Sequence, residues 1–262
     1  MDRASKRSPF LLRAQSISHI MRKMKNKKLK AILSLSGYLL LLLALCFTGG
    51  LIFHSYYYTS IYVSGTSMMP TLLGVQNDTE GAKVDFGILE TFQKNPSALK
   101  HLKRFDIIST YYPNDYSDGA LKSGATKKIK RVIALPGESF KIENGLLTVN
   151  GKRIDYPCKI ESTTKKDAER TLGENEYWVL GDNRDHSTDS GDYGPIHKEN
   201  MVGRLVAIEG QAKLKFKNYL CDNPNCGKTT NQAGTTCSYC HVGKLVKQFD
   251  LKDKEYKWPR YY

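Results

Sequence analysis

The sequence predicts a mainly β protein: an antiparallel β domain preceded by one N-terminal transmembrane helix and followed by a small four-cysteine module. Three observations carry that prediction. Residues 31–53 hold 23 side chains without a charge. Downstream, short β-prone runs alternate with turn dipeptides, and no long helical periodicity interrupts them. Beyond them, four cysteines fall into two close pairs.

The apolar run AILSLSGYLLLLLALCFTGGLIF, at about 1.5 Å per helical residue, is long enough to cross a hydrocarbon core of about 30 Å. Residues 1–30 carry ten Lys or Arg against one Asp, a longer basic head than a cleaved signal peptide has. The segment therefore reads as an uncleaved anchor. Arg22, Lys23, Lys25, Lys27, Lys28 and Lys30 crowd its N-terminal flank. They predict a cytoplasmic N-terminus and an extracytoplasmic remainder. The formal net charge is +14, and nine of those charges lie in the first 30 residues (ten basic minus one acidic). The charge therefore points to the lipid bilayer and not to nucleic acid. The predicted organisation is a basic cytoplasmic segment at 1–30, the anchor at 31–53, the main domain at 54–216, and a cysteine module with tail at 217–262.

Within the main domain, residues 54–64 (HSYYYTSIYVS) suit an aromatic membrane interface followed by a first strand. Residues 75–104 are polar and mixed, with a turn or surface loop near 76–81. Residues 105–112 read as a strand ended by Pro113, 114–125 as a loop, and 127–135 as a strand stopped by Pro136-Gly137. Two Asn-Gly pairs, Asn144-Gly145 and Asn150-Gly151, predict a tight meander. Asn-Gly tolerates the positive φ that both central positions of a two-residue hairpin turn demand. Residues 176–180 and 201–208 supply two more strands.

Three segments carry chemistry: SGTSMMPT at 64–71, KIKRVIALPGE at 128–138, and GDNRDHSTDSGDYGP at 181–195. The first offers hydroxyls beside Gly65, where backbone N–H groups can approach a substrate. The second offers a lysine in an apolar strand, Val132-Ile-Ala-Leu135. Such a setting disfavours the ammonium form and leaves a neutral amine to act as base. A serine hydroxyl is a weak nucleophile without one, and Ser-Lys pairs are a recurrent variant of the Ser-His-Asp arrangement. Spacing alone does not choose between Lys128 and Lys130. The third segment is a loop whose side chains bond its own backbone. Met68 and Met69 read equally as core filling or as soft apolar surface toward lipid or substrate.

Cys221, Cys226, Cys237 and Cys240 pair as C-x4-C and C-x2-C, ten residues apart. This is a zinc-ribbon-like pattern: a hairpin joining two such pairs builds a tetrahedral, structural Zn²⁺ site. Two disulfides are the alternative, since the segment is predicted to face the oxidising exterior. Cys46 and Cys158 read as inert.

Together, the strings S-G-x-S-M-x-P-T, K-R-V-x-x-L-P-G and G-D-N-R-D-x-S-x-D-S, in this order behind a single basic-flanked anchor, resemble the sequence boxes of bacterial type I signal peptidases. The resemblance covers roughly residues 31–208 and not the cysteine module. It implies an antiparallel β catalytic domain and a membrane-anchored serine endopeptidase. That enzyme cuts signal peptides from exported preproteins through an acyl-enzyme, with no cofactor for catalysis. It further implies Ser67 as nucleophile and Lys130 as general base. The Ser67 N–H would serve as one oxyanion donor. Gly65 stands where some members carry a hydroxyl, so whether Gly65 N–H, Ser64 or Thr66 adds a second donor stays open. Asp182, Asn183, Arg184, Asp185, Ser187 and Asp189 match the third box as supporting residues, Asp189 pairing with an arginine and Ser187 orienting the lysine. His186 falls at a variable position of that box and reads as an exposed loop residue. The implied partners are preproteins with signal peptides, the bilayer and the secretion translocon. Two other readings remain: the same dyad with a dedicated substrate, and a membrane-tethered binding module whose protease domain is vestigial.

Overall fold

The computed structural model describes residues 27–76, 79–158, 160, 167–223, 226–231, 233–234, 236–237, 240–241 and 244–261. Helix α1 (Lys27–Tyr57) contains a stretch, Ala31–Tyr57, long and apolar enough to cross a membrane, and none of it is buried in protein. Leu40, Phe47 and Ile52 all stand exposed, as lipid-facing side chains must and soluble core helices do not.

A second compact unit, Tyr56–Tyr262, follows. Its elements are β1 (Tyr58–Tyr62), β2 (Lys83–Thr91), α2 (Pro96–Lys100), β3 (Ile107–Thr110), β4 (Tyr116–Ser117), β5 (Ala120–Leu121) and β6 (Lys128–Ala134). Then come β7 (Ser139–Glu143), β8 (Leu146–Val149), β9 (Lys152–Ile154), β10 (Ala168–Thr171), β11 (Glu176–Leu180), α3 (Ser190–Tyr193) and β12 (Ile196–His197). The last strands are β13 (Met201–Cys221), β14 (Thr229–Thr230) and β15 (Leu245–Tyr261). The main sheet runs β1-β2-β13-β3-β6-β11-β12, with β14 and β15 also paired to β13. A smaller sheet runs β10-β7-β8-β9. The unit is mainly β, and its pairings are antiparallel.

The meander forms where the two Asn-Gly pairs predict it. Asn144 and Gly145 have φ of 49° and 75°, and Asn150 and Gly151 have 49° and 76°, the doubly positive signature of a two-residue hairpin turn. Phe140, Ile142, Leu147 and Val149 alternate inward and pack on Ile133, Trp178 and Leu180, which joins the small sheet to the large one. A second cluster gathers Ile108, Tyr112, Val132, Val179 and Ile196. A third, around Val63, Met68, Leu72, Ile107 and Leu205, lies under the loop that carries Ser67. Each aliphatic side chain so buried contributes roughly 1.5–3 kcal/mol. Of the two readings of Met68, core filling is the one observed: it is 1 % exposed.

Two features depart from the sequence reading. The polar stretch 75–104 contains β2, which is paired on both sides and buried at most positions. Its two acidic residues obscure it because both are bonded inside the fold. Asp85 accepts from Leu73 N and Gln211 Nε2, and Glu90 accepts from Asn95 Nδ2 and Arg204. The strand predicted at 201–208 instead continues to Cys221, unbroken across residue 216. It pairs with β15 from Cys221↔Leu245 down to Ala207↔Tyr261.

Candidate active site and cysteine cluster

The loop after β1 is shaped by Gly65, at φ +80°, a conformation that L side chains rarely adopt. Its N–H donates to Val75 O at 2.8 Å. That N–H is therefore engaged within the loop. Met69 N donates to Thr66 O and Leu72 N to Met68 O, so the chain curls tightly around Ser67. Among the described residues no hydrogen bond uses the Ser67 N–H.

β6 brings Lys130 to this loop, in register with Ile108 of β3. Lys130 is 4 % exposed, and its Nζ lies 2.8 Å from Ser67 Oγ. Nζ also donates to Ile129 O at 3.0 Å. Lys128, of the same strand parity, turns instead to Thr126. Of the two lysines, Lys130 is the one whose amine reaches Ser67.

The third segment locks both others in place. Asn183 N donates to Ser67 O at 3.0 Å, and its Nδ2 donates to Thr66 O at 3.3 Å. Gly181 presses so close that a Cβ there would collide with the Ser67 carbonyl and Ser187 Oγ. Asp182 receives Arg131 bidentately, Nε at 2.8 Å and Nη2 at 2.6 Å, and also accepts from Thr71 Oγ1 at 2.6 Å. One carboxylate therefore ties together the residue after Lys130, the fourth residue after Ser67, and the loop after β11. Charge-assisted, bidentate geometry of this kind is the strongest hydrogen bonding available inside a protein.

Asp189, farther along the same segment, is fully buried. Asp189 accepts from Ser187 Oγ at 2.6 Å, from Gly181 N at 3.0 Å and from Gly191 N at 3.1 Å, and it caps α3. Arg184 is buried, donates Nε to Gly181 O at 3.0 Å, and lies 5.0 Å from the Tyr156 ring centroid. Asp185 and His186 are exposed. Cys158 is half-buried, and burial pushes its thiol up, away from the reactive thiolate.

Sequence reasoning did not single out Thr71, Arg131 or Tyr112. Tyr112 is 1 % exposed, and its hydroxyl donates to Thr188 O at 2.9 Å, holding the third loop from below. Burial raises that hydroxyl far above its ordinary pKa, so it stays a donor. The Lys-Arg and Met-x-Pro-Thr strings contained two of these residues; only the fold shows that they meet.

Cys221, Cys226, Cys237 and Cys240 converge, with their sulfur atoms all within 4.8 Å of one another. Cys221 Sγ lies 3.6 Å from Cys240 Sγ, and Cys226 Sγ lies 3.8 Å from Cys237 Sγ. Four sulfurs about 2.3 Å from a tetrahedral zinc would stand about 3.8 Å apart. A disulfide needs about 2.05 Å.

The family model described as "Signal peptidase, peptidase S26" matches residues 34–209. The chain belongs to this family. Signal peptidase I V of Bacillus subtilis is 33 % identical over 163 residues, covering 56 % of this chain and 83 % of that protein. Signal peptidase I U of the same organism is 32 % identical over 191 residues, covering 68 % and 87 %. A crystal structure of a signal peptidase I from Enterococcus faecalis is 26 % identical with a TM-score of 0.32, covering 40 % of this chain and 96 % of that one. Family membership makes the chain a serine peptidase that removes signal peptides, anchored at a membrane by its apolar helix and working without a catalytic cofactor. The family match ends at residue 209. The outer half of β13, β14, β15 and the cysteine cluster lie beyond it.

Proposed function

We propose that Ser67 is the nucleophile and Lys130 the general base of an endopeptidase that cuts preproteins outside the membrane. The observation that carries this reading is the 2.8 Å separation of Lys130 Nζ from Ser67 Oγ in a setting where the amine is 4 % exposed. Removal from water favours an amine's neutral form. Neutral Nζ accepts the proton as Ser67 Oγ attacks the peptide carbonyl, and the Ser67 N–H donates to the developing oxyanion. Collapse of the tetrahedral adduct passes the proton from Nζ to the leaving amine and leaves an acyl-enzyme. Nζ then deprotonates the water that hydrolyses it. Ser187 and Asp189 are supporting residues in this scheme. Ser187 Oγ donates to Asp189, and Gly181, which packs on Ser67 O, donates to the same carboxylate. The basic residues before Ala31 orient the anchor with its N-terminus in the cytoplasm. The catalytic domain then faces the secretion translocon's exit, where preproteins emerge. The four cysteines hold a structural Zn²⁺; their thiolates fill its coordination sphere and leave it no catalytic position.

Purified full-length Ser67→Ala and Lys130→Ala are each expected to lose at least about a thousandfold in preprotein cleavage, since a nucleophile and its base act as a unit. Lys130→Arg is expected to fail as well, because guanidinium does not give up its proton at working pH. Turnover by any of the three near the unmodified rate would overturn the assignment.

A further inference from the structure

A cleft of about 680 Å³ opens across the end of the main sheet where β1 begins, and none of the residues assigned above to the active site lines it. Its apolar floor is Phe92, Leu99 and Met201. Tyr111 and Tyr116 form one wall, their ring centroids 6.3 Å apart and edge to face. Lys127 and Lys198 stand exposed at the rim, with Glu199 beside Lys198 at 3.9 Å, so the rim keeps a net positive charge. Thr59, Gln93 and Asn200 add hydrogen-bonding side chains.

We infer that this cleft seats the phosphate-bearing headgroup of a singly anionic membrane lipid, with the first acyl methylenes against the apolar floor. The place of the cleft along the chain supports that occupant. The membrane-crossing stretch Ala31–Tyr57 has 27 residues, about 40 Å at 1.5 Å each, which covers the hydrocarbon core and reaches into the headgroup layer. Thr59, which lines the cleft, is the second residue after Tyr57 and so lies at most about 7 Å of chain from it. Lys94 Nζ sits 4.2 Å over the Tyr56 ring at the same end of the sheet, an aromatic–cation arrangement suited to an interface. The chemistry also selects among occupants. A peptide seated by strand addition needs an open strand edge; β2, β3 and β13, which end at the cleft, are each paired on both sides, so among the main-sheet strands that reach it only β1, through Thr59, offers one. A headgroup needs only cations, hydroxyls and an apolar floor. This inference rests on the anchor and not on the Ser67–Lys130 assignment.

The test is native mass spectrometry of the full chain extracted from vesicles of seven parts phosphatidylcholine to three parts phosphatidylglycerol. The unmodified chain should retain phosphatidylglycerol preferentially over phosphatidylcholine. Lys127→Gln with Lys198→Gln should reduce that retention about 10- to 30-fold, the factor two surface lysines contribute toward an anionic membrane. Lys215→Gln with Lys217→Gln, on the exposed arm, should leave it unchanged. Preprotein cleavage in pure phosphatidylcholine should be equal in all three proteins, which controls for folding. Equal phosphatidylglycerol retention in the Lys127/Lys198 variant would overturn the inference. So would stoichiometric displacement of the lipid by a peptide of mature preprotein sequence.

Discussion

Beneath Ser67 and Lys130, segments far apart in sequence meet through buried charge: Arg131 and Asp182 are 51 positions apart, Thr71 and Asp182 111. Along β13 and β15 the chain is held differently. Ladder bonds run from Cys221↔Leu245 to Ala207↔Tyr261, with exposed ion pairs along their length and four thiols at the tip. In the first region the two charges are buried against each other, so removing one strands the other. In the second, many small and replaceable contacts share the work, and only the cysteine cluster is concentrated. Position in the fold, more than interaction type, decides what a given pair is worth.

The sharpest way to break the comparison is at Asp182. Arg131→Met leaves that carboxylate buried without its guanidinium and is expected to destabilise the folded chain by about 3–5 kcal/mol. Arg131→Met combined with Asp182→Leu should recover much of that loss, because it removes both charges together. The denaturant midpoint of the full chain measures both. A single variant as stable as the unmodified protein would mean that the joint is not held by this pair.

The next test concerns the metal. Chelation under reducing conditions should raise amide exchange at least tenfold over Lys215–Cys221 and Leu245–Asp250, since binding free energy at such a site is local folding free energy. Preprotein cleavage should change less than twofold, because the cluster lies beyond residue 209, where the signal peptidase match ends. Loss of cleavage along with the metal would show that the two regions are coupled. Unchanged exchange, with no zinc found by metal analysis, would leave the cluster as thiols or disulfides.

Tyr112 tests the joint more gently. Tyr112→Phe removes one hydrogen bond to Thr188 O, a net effect of about 1 kcal/mol. It should also change the alkaline limb of stability. The folded chain keeps the Tyr112 proton above pH 10 while the unfolded chain releases it, so stability falls as pH rises past 10. Phenylalanine removes that part of the slope. Tyr111 and Tyr177, whose hydroxyls burial also raises, supply what remains. An unchanged slope between pH 9.5 and 11 would count against this account of Tyr112.

Much of this was legible in the residues. The anchor follows from uncharged length, the meander from two Asn-Gly pairs, and the meeting of Ser67 with Lys130 from three strings in order. What stayed hidden shares one physical cause: partners distant in sequence. Asp85 and Glu90 make β2 look like surface until Gln211 and Arg204 are seen bonded to them. Asp182 and Asp189 look alike in their box, and only the fold delivers Arg131 to one and Ser187 to the other. That the Gly65 N–H bonds Val75, ten residues on, is likewise visible only in the fold. β13 reads as a short strand because its outer half, AKLKFKN, gains its meaning from β15 some 35 residues later.

The smallest effect is expected where the two regions touch. Lys83 of β2 and Glu255 of β15 stand 2.8 Å apart, the same distance as Arg131 Nε from Asp182, yet their side chains are 42 % and 58 % exposed against 4 % and 1 % for Arg131 and Asp182. Water and salt screen an exposed pair, and two long side chains lose freedom to make it. A double-mutant cycle over Lys83→Gln and Glu255→Gln should therefore return a coupling near the limit of measurement, vanishing in high salt, while the arm keeps its exchange protection. If the coupling instead survives salt and its loss frees β15, the arm is docked by charge and not by its backbone ladder. Equal distance would then mean equal worth, and burial would not be what separates the two regions.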